Sequence, residues 1–466
     1  MQENLEFVCN CTGGTIIQGN QNQIISAVTT DSRSVPKGSL FVALKGDRFD
    51  GHDFVHQALE KGAEAAIVSK PYATDISNKA IIQVDDTLQA LQDLAAAYRL
   101  RFDIPIIAIT GSVGKTTTRE LIACCLATTW NTLKTKANYN NDIGLPLTLL
   151  QLEGYHQAAV VEMAMRGLGE IARLTKIARP NFALISNVEP VHLETMGSIE
   201  NIARAKCEVL SQLPADGFVL INGDNELLLK EAEKYPCQRY TFGFNRDCDF
   251  QALSCNIVSS GTEIKMRFRD HIETIFFPLP AVKLALNAVS AAALASLLGI
   301  DMDRIKQGLL NYYPIGYRLH IIDLTDGGKV INDAYNANPV SMAAALETGR
   351  QLAQSGKYAA ILGEMYELGN LEVEGHINVG KNAYAAGVDL LVAVGERSRY
   401  IAQGAIEAGM DSNRVHYFST KNEATNYLSQ KIDNSWTLLF KASRGMQLEE
   451  IVDTLFEKGY LSAKRQ

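Results

Sequence analysis

The chain alternates between apolar runs and segments in which apolar residues recur at helical spacing. Runs such as "IPIIAIT", "AAVVEMA" and "NFALISNV" predict buried strands, and the segments "TTTRELIACCLATT" and "GEIARLTKIA" predict helices. Strands that alternate with helices form a mostly parallel sheet with helices on both faces. The pattern therefore predicts an α/β fold.

Two changes in this pattern divide the chain, which at 466 residues is too long for one compact unit. Short strand-like runs fill the first part, and the helical segment "DDTLQALQDLAAAYRLRF" then leads into a new strand, so we place a boundary near Val84. Pro314 and Gly316 interrupt the periodicity before a second alternating series. We expect three domains: a small α/β domain at 1–83, a doubly wound, mostly parallel domain at 84–314, and a Rossmann-like α/β domain at 315–466.

The charge of the chain excludes some partners. With 44 Lys and Arg against 52 Asp and Glu, the net charge is -8, and no basic run could neutralise a line of phosphates, so we expect no nucleic-acid partner. The eight cysteines form no CxxC pair, which favours free thiols in a reducing cytosol. The start of the chain lacks a secretory pattern, and the apolar stretch "NAVSAAALASLLGI" is too short to span a bilayer. We therefore expect a cytoplasmic protein without membrane insertion.

The segment "ITGSVGKTTTRE", residues 109–120, carries the strongest chemical signal. It follows a predicted strand and opens a helix, where backbone N–H groups and the helix N-terminus converge on phosphate oxygens. Ile109 stands where the usual GxxxxGK[ST] pattern has its first glycine, so only a compact loop remains. Lys115 offers a charge for terminal phosphates, and the Thr116 hydroxyl can ligate magnesium. A glycine turn that merely joins strand to helix is the alternative, but it leaves GKTTT unexplained.

Polar residues follow several other predicted strands. Glu162 ends "AVVEM" and His192 follows "NVEPV", so both are expected at the carboxyl ends of neighbouring strands, where doubly wound sheets bind ligands. Spacing alone gives no reason to select Lys206, which reads as a solvated helix lysine.

Two further segments are rich in short polar or charged side chains. "NDAYNANPVS" follows the strand "KVI", and a surface turn would also explain it. "TTDSRSVPKGSLFVALKGDRFDGHDF" suits a second anionic ligand, and a solvated hairpin explains it nearly as well.

These segments, in this order, resemble the Mur ligase family, the ATP-dependent amide ligases of peptidoglycan precursor synthesis. "TDSR", "FVALKG" and "DGHDF" match its N-terminal uridine-nucleotide domain, "TGSVGKTTT" its compact ATP loop, and "NYNNDIGLPLTLL" its muramoyl-substrate segment. "DAYNANP", "LGEMYELG" and "KASRGM" favour the members that join D-alanyl-D-alanine to UDP-N-acetylmuramoyl-tripeptide (UDP-MurNAc-tripeptide). The resemblance implies a monomer that phosphorylates the tripeptide carboxylate with ATP and lets the dipeptide amine attack the acyl phosphate.

The resemblance also implies roles for individual residues. ATP would be bound by Gly111, Ser112, Val113, Gly114, Lys115, Thr116, Thr117, Asn287, Arg318 and Asp333. The UDP-substrate would be bound by Asp31, Ser32, Arg33, Lys45, Gly46, Asn138 and Asn141. Two magnesium ions would be held by Thr116, Glu162, His192 and Lys206, the last as a carbamate made from carbon dioxide. The implied catalytic residues are Lys115, Lys206, His192, Asn336 and Asn338.

One segment departs from the family pattern. Where the family has GxHNxxN at the adenine, "PAVKLALNA" offers Ala281, Lys283 and Leu284, and only Asn287 remains. A cation–π contact from Lys283 is one way to cover the adenine ring. Three alternatives stay open: a sister ligase that adds a single amino acid, a folate polyglutamate ligase, which "TDSR" disfavours, and a catalytically silent relative that binds the UDP-substrate.

Overall fold

The computed structural model describes residues 1–46, 49–76, 78–191, 193–258, 261–268 and 271–464, without the side chains of Leu193 and Lys283. Three larger sheets organise these residues, each covered by helices. No helix within these ranges is long and apolar enough to cross a membrane. The predicted α/β fold class is confirmed.

The N-terminal sheet has five strands in the order β2-β7-β6-β5-β4, of which β4 to β7 are parallel and β2 is antiparallel. A separate two-stranded ribbon pairs β1 with β3. The elements are β1 (Glu3–Asn4), α1 (Leu5–Thr12), β2 (Thr15–Gln18), β3 (Ile24–Ile25), β4 (Ala27–Thr29), β5 (Ser39–Val42), α2 (Val55–Glu60), β6 (Ala65–Val68) and β7 (Ala80–Gln83).

The central sheet has nine strands in the order β16-β15-β14-β13-β12-β11-β8-β10-β9. Its strands are β8 (Ile106–Thr110), β9 (Thr132–Lys134), β10 (Ala158–Glu162), β11 (Phe182–Ile185), β12 (Phe218–Asn222), β13 (Gln238–Gly243), β14 (Phe250–Val258), β15 (Gly261–Phe268) and β16 (His271–Phe277). Its helices are α3 (Thr87–Arg99), α4 (Lys115–Ala127), α5 (Gly144–Leu149), α6 (Glu170–Ala178), α7 (Leu193–Met196), α8 (Ile199–Cys207), α9 (Glu226–Ala232), α10 (Ala285–Leu297) and α11 (Met302–Leu310). Strands β8 to β14 are parallel, and β15 and β16 add an antiparallel edge that the sequence analysis did not predict.

The order of the central sheet fixes where a ligand can bind. Strand β8 lies between β10 and β11, so the chain leaves β8 in one direction and later returns to its other side. Residue Glu162 of β10 pairs with Ile109, and Ile185 of β11 pairs with Thr110. The carboxyl ends of the three strands are therefore level, and a crevice opens there at the topological switch point.

The C-terminal sheet has six strands in the order β17-β18-β22-β19-β20-β21, parallel except for the edge strand β17. Its elements are β17 (His320–Asp323), β18 (Lys329–Asn332), α12 (Pro339–Ala353), β19 (Tyr358–Gly363), α13 (Glu372–Ala385), β20 (Leu390–Val394), α14 (Arg399–Glu407), β21 (Val415–Phe418), α15 (Lys421–Lys431), β22 (Thr437–Lys441) and α16 (Glu449–Glu457). One hydrophobic cluster runs from α4 and α10 into α12, so the central and C-terminal units share packed surface.

Candidate functional site

The loop between β8 and α4 is held in a conformation that requires its two glycines. Gly111 has φ 143° and Gly114 has φ 83°, both in the region that favours glycine. A Cβ at Gly111 would lie 2.0 Å from Ser186 Oγ, and a Cβ at Gly114 would lie 2.9 Å from Asn287 Oδ1. The predicted ATP residue Asn287 therefore lies directly against the loop.

The loop is braced by a neighbouring segment that the sequence analysis did not select. The backbone N–H groups of Ser112 and Val113 donate to Asn187 Oδ1 at 3.1 and 2.9 Å. The Ser112 hydroxyl donates to the Glu189 carbonyl oxygen at 3.1 Å, and the Ser186 hydroxyl donates to the Val113 carbonyl oxygen at 2.7 Å. The segment after β11 thus sets the shape of the phosphate loop.

Lys115 begins α4 and folds back over the loop. Its Nζ donates to the carbonyl oxygens of Gly111 at 2.7 Å and Ser112 at 3.1 Å. Burial lowers the pKa of Lys115, the carboxylate of Glu162 raises it, and the positive charge of Arg318 lowers it. Two cations from different sheets therefore lie near one another, an arrangement that an anionic ligand would stabilise.

Glu162 is the centre of a buried hydrogen-bond network. Its Oε2 accepts from Thr116 Oγ1 at 3.1 Å and from Arg119 Nη1 at 3.0 Å, and its Oε1 accepts from Asn140 Nδ2 at 2.8 Å. A hydroxyl and a carboxylate are hard oxygen ligands of the type that magnesium prefers, so Thr116 and Glu162 fit that ion. Arg119 and Asn140 lie in two segments predicted to bind ligands, but they were missed because their partner Glu162 is distant in the chain.

Lys206 differs from the solvated lysine that its spacing suggests. It lies on α8 with 1% of its surface exposed. Burial holds its pKa well below the usual range, and the charge of Lys115 adds to this. The carboxylates of Glu162, Glu170 and Glu208 act in the opposite direction and raise this pKa. His192 lies outside the described residues, so its predicted part in metal binding stays a prediction.

The C-terminal unit closes the site from the other side. Together with the loop and Glu162, Arg318, Asp333 and Asn336 line a cavity of about 270 Å³. The Arg318 guanidinium lies 3.9 Å from the ring centroid of Tyr335. Residues predicted from separate segments thus meet in one cavity between the central and C-terminal sheets.

Asn338 also lines this cavity and has a structural task at the start of α12. Its Oδ1 accepts from the Ser341 N–H at 2.8 Å, and its own N–H donates to Ser341 Oγ at 3.1 Å. This reciprocal pair satisfies two backbone N–H groups at the beginning of the helix. Asn338 thereby fixes the position of the loop that precedes α12.

Part of the cavity lining is apolar. It is formed by Leu279, Leu284, Ala344 and Ala345, with Thr348 beside them. The Thr348 hydroxyl donates to the Ala344 carbonyl oxygen at 2.8 Å, so it is already bonded within α12. Leu284, which departs from the family pattern, therefore contributes an alkyl surface to the site.

The residues predicted for the UDP-substrate do not line this cavity. Asp31 and Arg33 form an ion pair with each other, and hydrogen bonds from Arg33 lower the pKa of Asp31 to about 2. Asn141 Oδ1 accepts from the N–H of Gly144 at 2.9 Å, at the start of α5. The roles of Asp31, Ser32, Arg33, Lys45, Gly46, Asn138 and Asn141 stay predictions.

Comparisons with known proteins agree with this arrangement. Three family models match: "Mur ligase family, catalytic domain" at residues 24–99, "Mur ligase middle domain" at 109–295, and "Mur ligase, glutamate ligase domain" at 317–444. The chain is 37% identical to the UDP-N-acetylmuramoyl-tripeptide–D-alanyl-D-alanine ligase of Bacillus subtilis (strain 168), over 98% of this chain and 99% of that relative.

Two solved structures extend the comparison. MurF from Acinetobacter baumannii matches with a TM-score of 0.89 and 30% identity, over 98% of this chain and 99% of that chain. MurF from Thermotoga maritima, solved in complex with ADP, matches with a TM-score of 0.81 and 27% identity, over 93% of this chain and 97% of that chain. These similarities extend over nearly the whole sequence, and the chain belongs to the Mur ligase family.

Proposed function

We propose that this chain is an ATP-dependent ligase that joins D-alanyl-D-alanine to UDP-MurNAc-tripeptide. The observation that carries the proposal is the meeting of Lys115, Glu162 and Arg318 in one cavity between two sheets. The names of the full-length relatives support the choice of substrates, and the ADP complex of the Thermotoga maritima structure supports the nucleotide. The product would be UDP-MurNAc-pentapeptide, a precursor of peptidoglycan.

The reaction needs a leaving group because a carboxylate is a poor acylating agent. An oxygen of the tripeptide carboxylate attacks the γ-phosphorus of ATP, ADP departs, and an acyl phosphate forms. The dipeptide amine then attacks the acyl carbon, loses a proton and expels inorganic phosphate. Lys115 and Arg318 would offset the repulsion between the carboxylate and the phosphates, while the loop and Thr117 would hold the nucleotide.

Magnesium would stabilise charge on the transferring phosphoryl group. Thr116 and Glu162 supply oxygen ligands, and His192 and Lys206 are proposed to complete two sites. As a primary amine Lys206 is a poor magnesium ligand, but its carbamate is a carboxylate-like anion. Only a neutral amine adds carbon dioxide, and the burial that lowers the pKa of Lys206 favours that form.

The remaining assignments follow the three sheets. We propose that residues 1–83 bind the UDP-substrate, that 84–314 bind ATP, and that 315–466 close over both and present Asn336 and Asn338 near the dipeptide. Asp333 and Asn287 are proposed to help to hold ATP. A monomer in the cytoplasm, where the nucleotide substrates are made, is the proposed working form.

The test is phosphate release from ATP with magnesium and UDP-MurNAc-tripeptide, with and without D-alanyl-D-alanine, followed by a mass spectrum of the product. Release that depends on the dipeptide, with the pentapeptide product formed, supports the proposal. Release that depends instead on a single amino acid identifies a sister ligase. Tight binding of the UDP-substrate without turnover of any amine identifies a silent relative.

A further inference from the structure

Lys441 is a buried cation at the cavity to which the proposed function gives no task. It ends β22, is 3% exposed and lines the cavity. Its Nζ donates to Asp333 Oδ2 at 2.5 Å and to the Asn336 carbonyl oxygen at 2.9 Å. A buried ammonium requires acceptors that replace water, and both acceptors belong to the loop at 333–336. Lys441 therefore anchors this loop to the carboxyl end of β22, an inner strand of the C-terminal sheet.

The second oxygen of the same carboxylate holds a strained turn. Asp333 Oδ1 accepts from the Leu319 N–H at 3.0 Å. Leu319 has φ 49°, a left-handed conformation that is unfavourable for a residue with a Cβ atom. Such a conformation persists only where neighbouring contacts fix it, and this hydrogen bond is one of them.

The turn at Leu319 determines where the preceding side chain points. Arg318 lies with its guanidinium 3.9 Å from the Tyr335 ring centroid, and the Tyr335 N–H donates to the Tyr317 carbonyl oxygen at 3.0 Å. The linking segment and the loop are thus joined at three points, and the loop is anchored by Lys441. Arg318 and Lys115 line the same cavity from opposite units.

We propose that Lys441 is a positioning residue for ATP, which acts through Asp333 to hold the turn at Leu319 and so directs Arg318 to the phosphate groups. The inference rests on the proposed use of ATP at this cavity. It assigns Asp333 a second task, since both of its oxygens are engaged by the protein.

The first test compares Lys441→Met with Lys421→Met. Lys421, on α15, also pairs with a carboxylate of the C-terminal unit, Glu450 on α16, at 2.6 Å, but away from the cavity. ATP affinity is measured by titration calorimetry, and KM for ATP and for UDP-MurNAc-tripeptide by phosphate release. The Lys441 variant should bind ATP about tenfold more weakly or worse, the scale of one hydrogen bond to a charged group, and the Lys421 variant should be unchanged. A merely structural role would lower the active fraction and leave both KM values at the wild-type level.

The second test asks whether the effect passes through Arg318. In an Arg318→Met background, Lys441→Met should cause no further loss of ATP affinity. Equal losses in both backgrounds, or wild-type ATP affinity in Lys441→Met, would overturn the proposal. If Lys441→Met does not fold, the double variant Asp333→Asn/Lys441→Met replaces it, because it leaves no unpaired buried charge. Wild-type ATP affinity in this double variant would also overturn the proposal.

The two proposals can fail separately. If the wild-type chain binds ATP but makes no pentapeptide, the ligase assignment fails while the affinity comparison still decides the role of Lys441. If the wild-type chain does not bind ATP, both fail.

Discussion

Removal of the buried Arg119 should destabilise the central unit far more than removal of an exposed arginine whose ion pair has nearly the same N···O distance. Arg119 is 1% exposed, and it pairs with Glu120 at 2.6 Å and with Glu162 at 3.0 Å. In Arg119→Met, Glu120 keeps its ion pair with Lys134, but Glu162 loses its only ion pair among the described residues. Loss of one member of a buried pair costs about 3–5 kcal/mol because a charge remains in a poorly solvated site.

The matched control is Arg173→Met. Arg173 pairs with Asp142 at 2.9 Å, nearly the distance of the buried pair, but its side chain is 48% exposed. Exposed pairs contribute about 0–1 kcal/mol, because water screens the charges and both side chains lose mobility. Two ion pairs with almost equal N···O distances should thus differ several-fold in their contribution to the free energy of unfolding. Burial, rather than distance, determines the size of that contribution.

The assay is thermal unfolding followed by the fluorescence of Trp130, which packs against the core of the central unit. The only other tryptophan, Trp436, is replaced by phenylalanine in all variants, so that the signal reports one unit. For a unit of this size about 1 kcal/mol shifts the midpoint by roughly 2–4 °C, so the cost for Arg119→Met corresponds to about 6–20 °C. Midpoints of Arg119→Met and Arg173→Met within about 3 °C of each other would refute the reasoning, because they would mean that the buried carboxylate tolerates the loss of its cation.

Three other predictions concern the loop, a buried histidine and the proposed carbamate. Gly111→Ala should weaken ATP binding by at least about tenfold in titration calorimetry, because the new Cβ would lie 2.0 Å from a serine hydroxyl. The control is Gly299→Ala, at φ 85° with nothing within 4 Å of the new Cβ, which should lower stability but leave ATP binding unchanged. Burial lowers the pKa of His376, so on acidification the unfolded chain binds a proton at a higher pH than the folded chain does. Stability measured by denaturant titration should therefore fall as the pH decreases below about 6.5, by up to about 1.4 kcal/mol per pH unit. Burial also lowers the pKa of His156, so His376→Asn should reduce this slope without removing it, and His416→Asn should leave it unchanged. Removal of dissolved carbon dioxide should lower phosphate release until bicarbonate is restored, and Lys206→Arg should be inactive and unresponsive to bicarbonate.

Local signals in the sequence were sufficient for several features of the fold. The strand before Gly111 and the helix after Gly114 lie where the periodicity predicts them, because a buried parallel strand is a continuous apolar run. The stretch at 285–297 is a largely buried helix, as its composition of alanine and leucine indicates.

The antiparallel edge of the central sheet was missed although a signal was present. In β15, Ile264, Met266 and Phe268 are buried and alternate with exposed Glu263, Lys265 and Arg267. This is the period of two that an antiparallel strand shows when one face is solvated. Alternation of strands with helices does not predict this edge, because no helix separates these strands.

The residues that brace the site could not be found from local patterns, because their partners are distant in the chain. Asn187 contacts a loop 74 residues before it, and Lys441 contacts a carboxylate 108 residues before it. Asn187 follows the carboxyl end of β11, which neighbours β8, and Lys441 ends β22, which neighbours β18. The order of the strands in each sheet therefore brings each residue next to the loop that it supports. Sequence position alone would describe Lys441 as the last residue of an apolar strand.

The arrangement also explains why two sheets are needed for one chemical step. The loop and Glu162 are fixed by the switch point of the central sheet, and Arg318 is fixed by contacts to the C-terminal sheet through Asp333 and Lys441. Neither unit alone supplies both Lys115 and Arg318, which line the cavity from opposite sides. A ligand that carries several negative charges is stabilised by both, so its binding favours the approach of the two units. An acyl phosphate formed there would be enclosed by protein on both sides, which protects it from water until the amine attacks.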